Sequence, residues 1–150
     1  MGKSLDNQVA IVTGGGRGIG KAIAQRFAGE GCDLVLASRT KSELEETAQS
    51  ILETYAVSVS ISQTDVSNED DVDSMVNQAI RDFGKISILV NNAAVIGPMG
   101  EISEIGAQEF LNTLKINIGG TFFCSKAVIP YMKSQDQGCI INLSGGGGLT

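Results

Sequence analysis

A chain of 150 residues, 42% hydrophobic and 19% charged, has the size and composition of one globular domain with a sizeable core. Its net charge of −6 disfavours nucleic acid and anionic membrane surfaces, both of which bind through lysine and arginine. There is no histidine, and Cys32, Cys124 and Cys139 form no CxxC pair, so a metal site is not expected and the thiols read as buried and free in a reducing cytoplasm.

Met1 to Gln8 is polar and lacks the apolar centre of a signal peptide. No later apolar run approaches the length needed to span a bilayer, so the expectation is a soluble, cytoplasmic protein. Short runs rich in β-branched residues follow at Val9–Thr13, Leu34–Ala37, Val57–Ile61, Ile86–Val90 and Cys139–Leu143. Helical periodicity fills the gaps between them. The second helix shows a stripe of Leu44, Ala48, Ile51, Leu52 and Tyr55, and Ser42 to Glu45 reads as its capping box. In the third, Val72, Met75, Val76, Ala79, Ile80 and Phe83 fall on one face, with Ser67 and Asp70 as a weaker box. Ala93–Ser103 reads as a loop, and a helical region from about Glu104 to Lys133 is expected to break at Gly119-Gly120.

Strand and helix in strict alternation imply right-handed βαβ crossovers. The expected fold is therefore α/β, a Rossmann-type doubly wound parallel sheet of strand order 3-2-1-4-5 in a single domain. Val57, Val59 and Ile61 alternate with serines, which suits a half-exposed outer strand.

Thr13-Gly14-Gly15-Gly16-Arg17-Gly18-Ile19-Gly20 joins the first strand to the first helix. Glycines here let the backbone turn and approach a ligand, and the helix start offers N–H groups to a pyrophosphate. The GxGxxG spacing fails, because Ile19 takes the place of its last glycine. Gly15, Gly20 and Lys21 match GxxxxGK, but Ala22 replaces the hydroxyl residue that would hold magnesium, which disfavours an NTPase.

The spacing Gly14-x3-Gly18-x-Gly20 instead resembles the glycine motif of short-chain dehydrogenases/reductases. Asn91-Asn92-Ala93-Ala94 resembles that family's NNAG segment, with Ala94 for glycine. Asp65-Val66 resembles its adenine-holding pair, Asn117 its helical asparagine that organises a catalytic water, and Ile140–Ser144 the strand delivering its serine. The resemblance implies a nicotinamide cofactor held by Gly14, Arg17, Gly18, Ile19, Gly20, Ser38, Arg39, Asp65, Val66, Asn92 and Ala93. It also implies a carbonyl or alcohol substrate and a homo-oligomer.

Counting about 20 residues on from the glycine motif, to where an acid would select NAD(H), leads to Ser38. With Arg39 beside it and Arg17 in the loop, the reading is NADP(H) over NAD(H). The family's Tyr–Lys pair is spaced YxxxK, but Tyr55 is followed four places on by Val59 and Tyr131 by Gln135. The motif is expected beyond Thr150, along with the later strands. The serine position itself falls on Gly145, leaving Ser144 one residue early as an alternative. A chain of this kind is expected to be inactive alone, and a noncatalytic nucleotide-binding module is the competing reading.

Overall fold

A computed structural model describes residues 3–145. Five parallel strands form one sheet in the order β3-β2-β1-β4-β5. They are β1 (Val9–Thr13), β2 (Asp33–Ser38), β3 (Val59–Gln63), β4 (Ile88–Asn91) and β5 (Cys139–Asn142). Helices α1 (Gly18–Gly29), α2 (Lys41–Thr54) and α3 (Glu69–Phe83) connect the first four strands. A 3₁₀ turn at Ile102–Glu104, helix α4 (Ala107–Leu114), a π-helical turn at Lys115–Gly119 and helix α5 (Gly120–Ser134) lead to the fifth.

Every residue of β1 is buried because helices cover both faces of the sheet. Ile11, Val35, Ala37 and Leu89 pack one face against Val72, Met75, Val76 and Ala79 of α3 and Cys124, Val128 and Met132 of α5. Ala10, Val12, Leu34, Leu36 and Val90 point the other way, against Ala24 and Ala28 of α1 and Leu44, Ala48 and Ile51 of α2. Burying a large aliphatic side chain contributes roughly 1.5–3 kcal/mol, so the two faces stabilise the sheet more than any polar contact described below.

Several local readings need correction. Strand β3 starts two residues later than its alternating pattern suggests. It takes the outer position and is half-buried, as the alternation implies, with Ser60 tied to α3: Gln78 Nε2 donates to Ser60 Oγ (2.8 Å) and Ile61 O (3.0 Å), and Ser60 Oγ donates to Asp82 (2.6 Å). Helix α2 begins at Lys41 after Thr40, and no side chain caps it. Asn68, not Ser67, caps α3 by accepting from Asp70 N and Asp71 N, because Ser67 Oγ is already donated to Asp65. Leu52 is exposed at the edge of its stripe, and Cys139 is exposed while Cys32 and Cys124 are buried.

Gly119-Gly120 does not break the helical region. The chain widens there into a π turn and continues as α5. Gly120 is needed for packing instead, since a Cβ there would lie 2.6 Å from Val66 Cγ2.

Candidate functional site

Beyond the C-terminal end of β1 the chain turns toward β2, whereas β4 lies on the opposite side of β1. Such a reversal of winding leaves a crevice outside the strand ends. Here it is a cleft of about 300 Å³ lined by the glycine loop, Ser38 to Thr40, Thr64 to Val66 and Asn92 to Val95.

Thr13, buried behind the cleft, ties together residues that line it. Its buried hydroxyl donates to Val90 O (3.2 Å) and accepts from Asn92 N (3.0 Å) and Ala93 N (3.0 Å). Asn92 Nδ2 returns the link by donating to Thr13 O (2.9 Å) and Gly14 O (3.3 Å). Thr47 of α2, fully buried, donates to Gly16 O at 2.8 Å and moors the loop from its other side. Gly15 N donates to Ala37 O (3.2 Å). The loop is thus pinned to β2, β4 and α2 before any ligand arrives.

What it presents is a helix start without internal partners. Arg17 occupies the N-cap position of α1 but gives no capping bond, and the first turn holds no acidic residue. The early N–H groups of α1 are therefore without a side-chain cap, as an anion site requires. Gly18 has φ +55° and nothing within 4 Å of where a Cβ would stand, which keeps the approach open. Gly20 is buried beneath the loop and does not line the cleft. A Cβ there would collide with Gly14 O and lie 2.6 Å from Asn92 Nδ2, so the first turn can sit this low only on glycine.

At the β2 end, Arg17 is 83% exposed and lies 3.8 Å from Glu43. Arg39 forms no salt bridge among the described residues, and its carbonyl accepts from Gln63 Nε2 (3.0 Å). Partial burial pushes the Asp65 carboxyl up. Hydrogen bonds from Ser67 Oγ (2.8 Å) and Ser67 N (2.9 Å), aided by Arg39 and Lys115, outweigh this and hold it below the usual carboxylate range.

A family model described as short chain dehydrogenase matches residues 8–150. The chain belongs to the short-chain dehydrogenase family. It is 35% identical to the meso-2,3-butanediol dehydrogenase of Serratia marcescens, over 97% of this chain and 56% of that protein. It is also 35% identical to 3beta-hydroxysteroid dehydrogenase 2 of Eggerthella lenta, with the same coverage. Among solved structures, an NAD+-bound xylitol dehydrogenase superposes with a TM-score of 0.93 at 34% identity, covering 99% of this chain and 56% of that one. Levodione reductase superposes with a TM-score of 0.93 at 33% identity, covering 97% and 57%. The chain spans somewhat more than half the length of these dehydrogenases.

The cleft brings together Gly14, Arg17, Gly18, Ile19, Ser38, Arg39, Asp65, Val66, Asn92 and Ala93 from among the residues singled out by motif. Besides Gly20 beneath the loop, two others lie apart from its lining. Asn117, in the π turn, accepts from Val95 N (2.9 Å) and donates to Val95 O (2.9 Å), so both ends of its amide anchor the segment after β4. Ser144 is exposed beyond β5, at the same sheet end as Asn92, because Asn91 pairs with Asn142 and Leu143 N donates to Asn91 O.

Glu43, Thr47 and the structural role of Thr13 were not legible as site features. For Thr47 there was a usable signal: a hydroxyl inside the apolar stripe between Leu44 and Ala48 must find a hydrogen-bond partner.

Proposed function

We propose that this chain forms the NADP(H)-binding part of an oxidoreductase that transfers hydride between nicotinamide and a carbonyl or secondary alcohol. The observation that carries the reading is the uncapped start of α1 facing a preformed cleft whose β2 end holds Ser38, Arg39 and Arg17, with no acid at the end of the second strand. The residues fit a dinucleotide. Gly18 leaves room for a pyrophosphate against the α1 amides, Asp65 and Val66 flank space for an adenine, and Asn92 and Ala93 line the far side.

A bound nicotinamide would supply or accept the hydride. The chain's own residues bind and orient it. The Thr13–Asn92 lattice fixes residues that line the cleft, and the arginines receive the 2′-phosphate as a charge-assisted pair. Asn117 holds Val95 in place, which shapes the wall toward Ile116. Ser144 is the candidate for orienting the substrate oxygen, the usual position being Gly145.

Proton transfer needs an acid near neutrality, and a tyrosine of pKa about 10 reaches that range only beside a cation. Neither Tyr55 nor Tyr131 has a lysine four residues on, so this chain alone is proposed to bind cofactor without turnover. Fluorescence titration with NADPH and NADH tests the cofactor assignment, and tighter NADH binding defeats it. An NADPH oxidation assay with a panel of ketones tests the second point. Turnover above buffer would mean that another acid serves.

A further inference from the structure

Four charged side chains line the cleft, and they cancel: Arg17 and Arg39 against Glu43 and Asp65. Asp65 has local work, since it accepts two hydrogen bonds from Ser67. Glu43 has none of that kind. It stands in the first turn of α2 but does not cap the helix, and its partner is Arg17 at 3.8 Å. Its position is set by packing. A Cβ on Gly16 would fall 2.9 Å from Glu43 Cβ, and Thr47, one turn further along α2, is bonded to Gly16 O. The carboxylate is therefore held at the β2 end of the cleft beside one of the two cations available there.

We propose that Glu43 is a specificity-determining residue that narrows the preference for NADP(H) by occupying Arg17 and opposing the 2′-phosphate. This rests on the reading that the adenosine ribose lies beside Ser38 and Arg39. A cofactor with a 2′-phosphate must draw Arg17 away from Glu43 and then tolerate a carboxylate nearby. A cofactor with a 2′-hydroxyl brings no charge to that place, so Glu43 is indifferent to it. The residue therefore acts on one cofactor and not the other.

The test is titration of NADPH and NADH into wild type, Glu43→Gln, Arg17→Gln and the double variant, at low and high salt. Glu43→Gln is expected to tighten NADPH about tenfold at low ionic strength, as for unit charges a few ångströms apart in a solvated cleft. The gain should shrink toward unity at about 1 M salt, where screening acts within ~3 Å. It should also shrink when Arg17 is already glutamine. NADH affinity should change by less than about twofold, which also reports an intact fold.

Unchanged NADPH affinity in Glu43→Gln, with NADH still bound, overturns the proposal. So does weakened NADH binding, which would mean that Glu43 accepts the ribose hydroxyl. A full gain in the Arg17→Gln background overturns the pairing with Arg17. The wild-type ratio answers separately for the cofactor assignment: a protein favouring NADH would refute that assignment while a Glu43→Gln gain confined to NADPH still upheld the role of Glu43. If neither cofactor bound wild type, both would fall.

Discussion

Replacing Thr13 with valine keeps the shape of the side chain while deleting a hydroxyl that makes three hydrogen bonds. These go to Val90 O, Asn92 N and Ala93 N, at 3.0–3.2 Å, and Thr13 is only 1% exposed. Each such bond contributes about 0.5–1.5 kcal/mol net, and buried donors left without a partner cost about 1–3 kcal/mol each. Asn92 and Ala93 are partly accessible, so water can replace some of the loss. The expected destabilisation is about 2–4 kcal/mol. Urea denaturation followed by circular dichroism measures it, with Thr13→Ser as the control that keeps the hydroxyl and loses only a methyl group. Thr13→Val should also weaken dinucleotide binding, because the same bonds hold Asn92 and Ala93, which line the cleft. A Thr13→Val protein within about 0.5 kcal/mol of wild type, or a serine variant as unstable as the valine one, would refute the account.

Gly20→Ala gains up to about 1 kcal/mol of helix propensity but drives a methyl group into Gly14 O and Asn92 Nδ2. Overpacking of this kind costs about 1–3 kcal/mol, so thermal melts should show a net loss and cofactor titration at least about a tenfold weaker Kd. Burial pushes the Cys32 and Cys124 thiols up to about 12. At pH 8 iodoacetamide should therefore label exposed Cys139 in the native protein and all three cysteines in denaturant, as mass spectrometry would count. Asp65 has a depressed pKa when folded, so its contribution to stability is present above the unfolded value of about 3.9 and is lost as pH falls through the folded one. The stability gap between wild type and Asp65→Asn should be constant from about pH 6 to 8 and close in acid below about pH 4. A gap that widened in acid would reverse the sign assigned here.

Much of the architecture is written in short-range pattern. A stripe such as Val72, Met75, Val76 and Ala79 requires only that one face of one helix be apolar, and all four residues are buried. The unbroken apolar run of β1 requires only that both faces of a strand be covered, as they are. Alternation of these elements led to the strand order, and the glycine spacing led to the loop that lines the cleft. The helix caps were less legible, because Ser67 and Asn68 both offer an oxygen and only the bond to Asp65 decides which one is free.

The sequence by itself determined the parallel sheet, the helix faces and the glycine loop at the start of α1, since each depends on spacing within a few turns of chain. Only the tertiary structure decided what holds that loop and what stands near it. Thr13 meets Ala93 across 80 positions, Thr47 meets Gly16 across 31, and Glu43 reaches Arg17 only because α2 packs on the loop. The reason is physical. A hydrogen-bonding or charged side chain carries no periodicity of its own, so its partner is chosen by the packing of apolar faces that brings distant segments together.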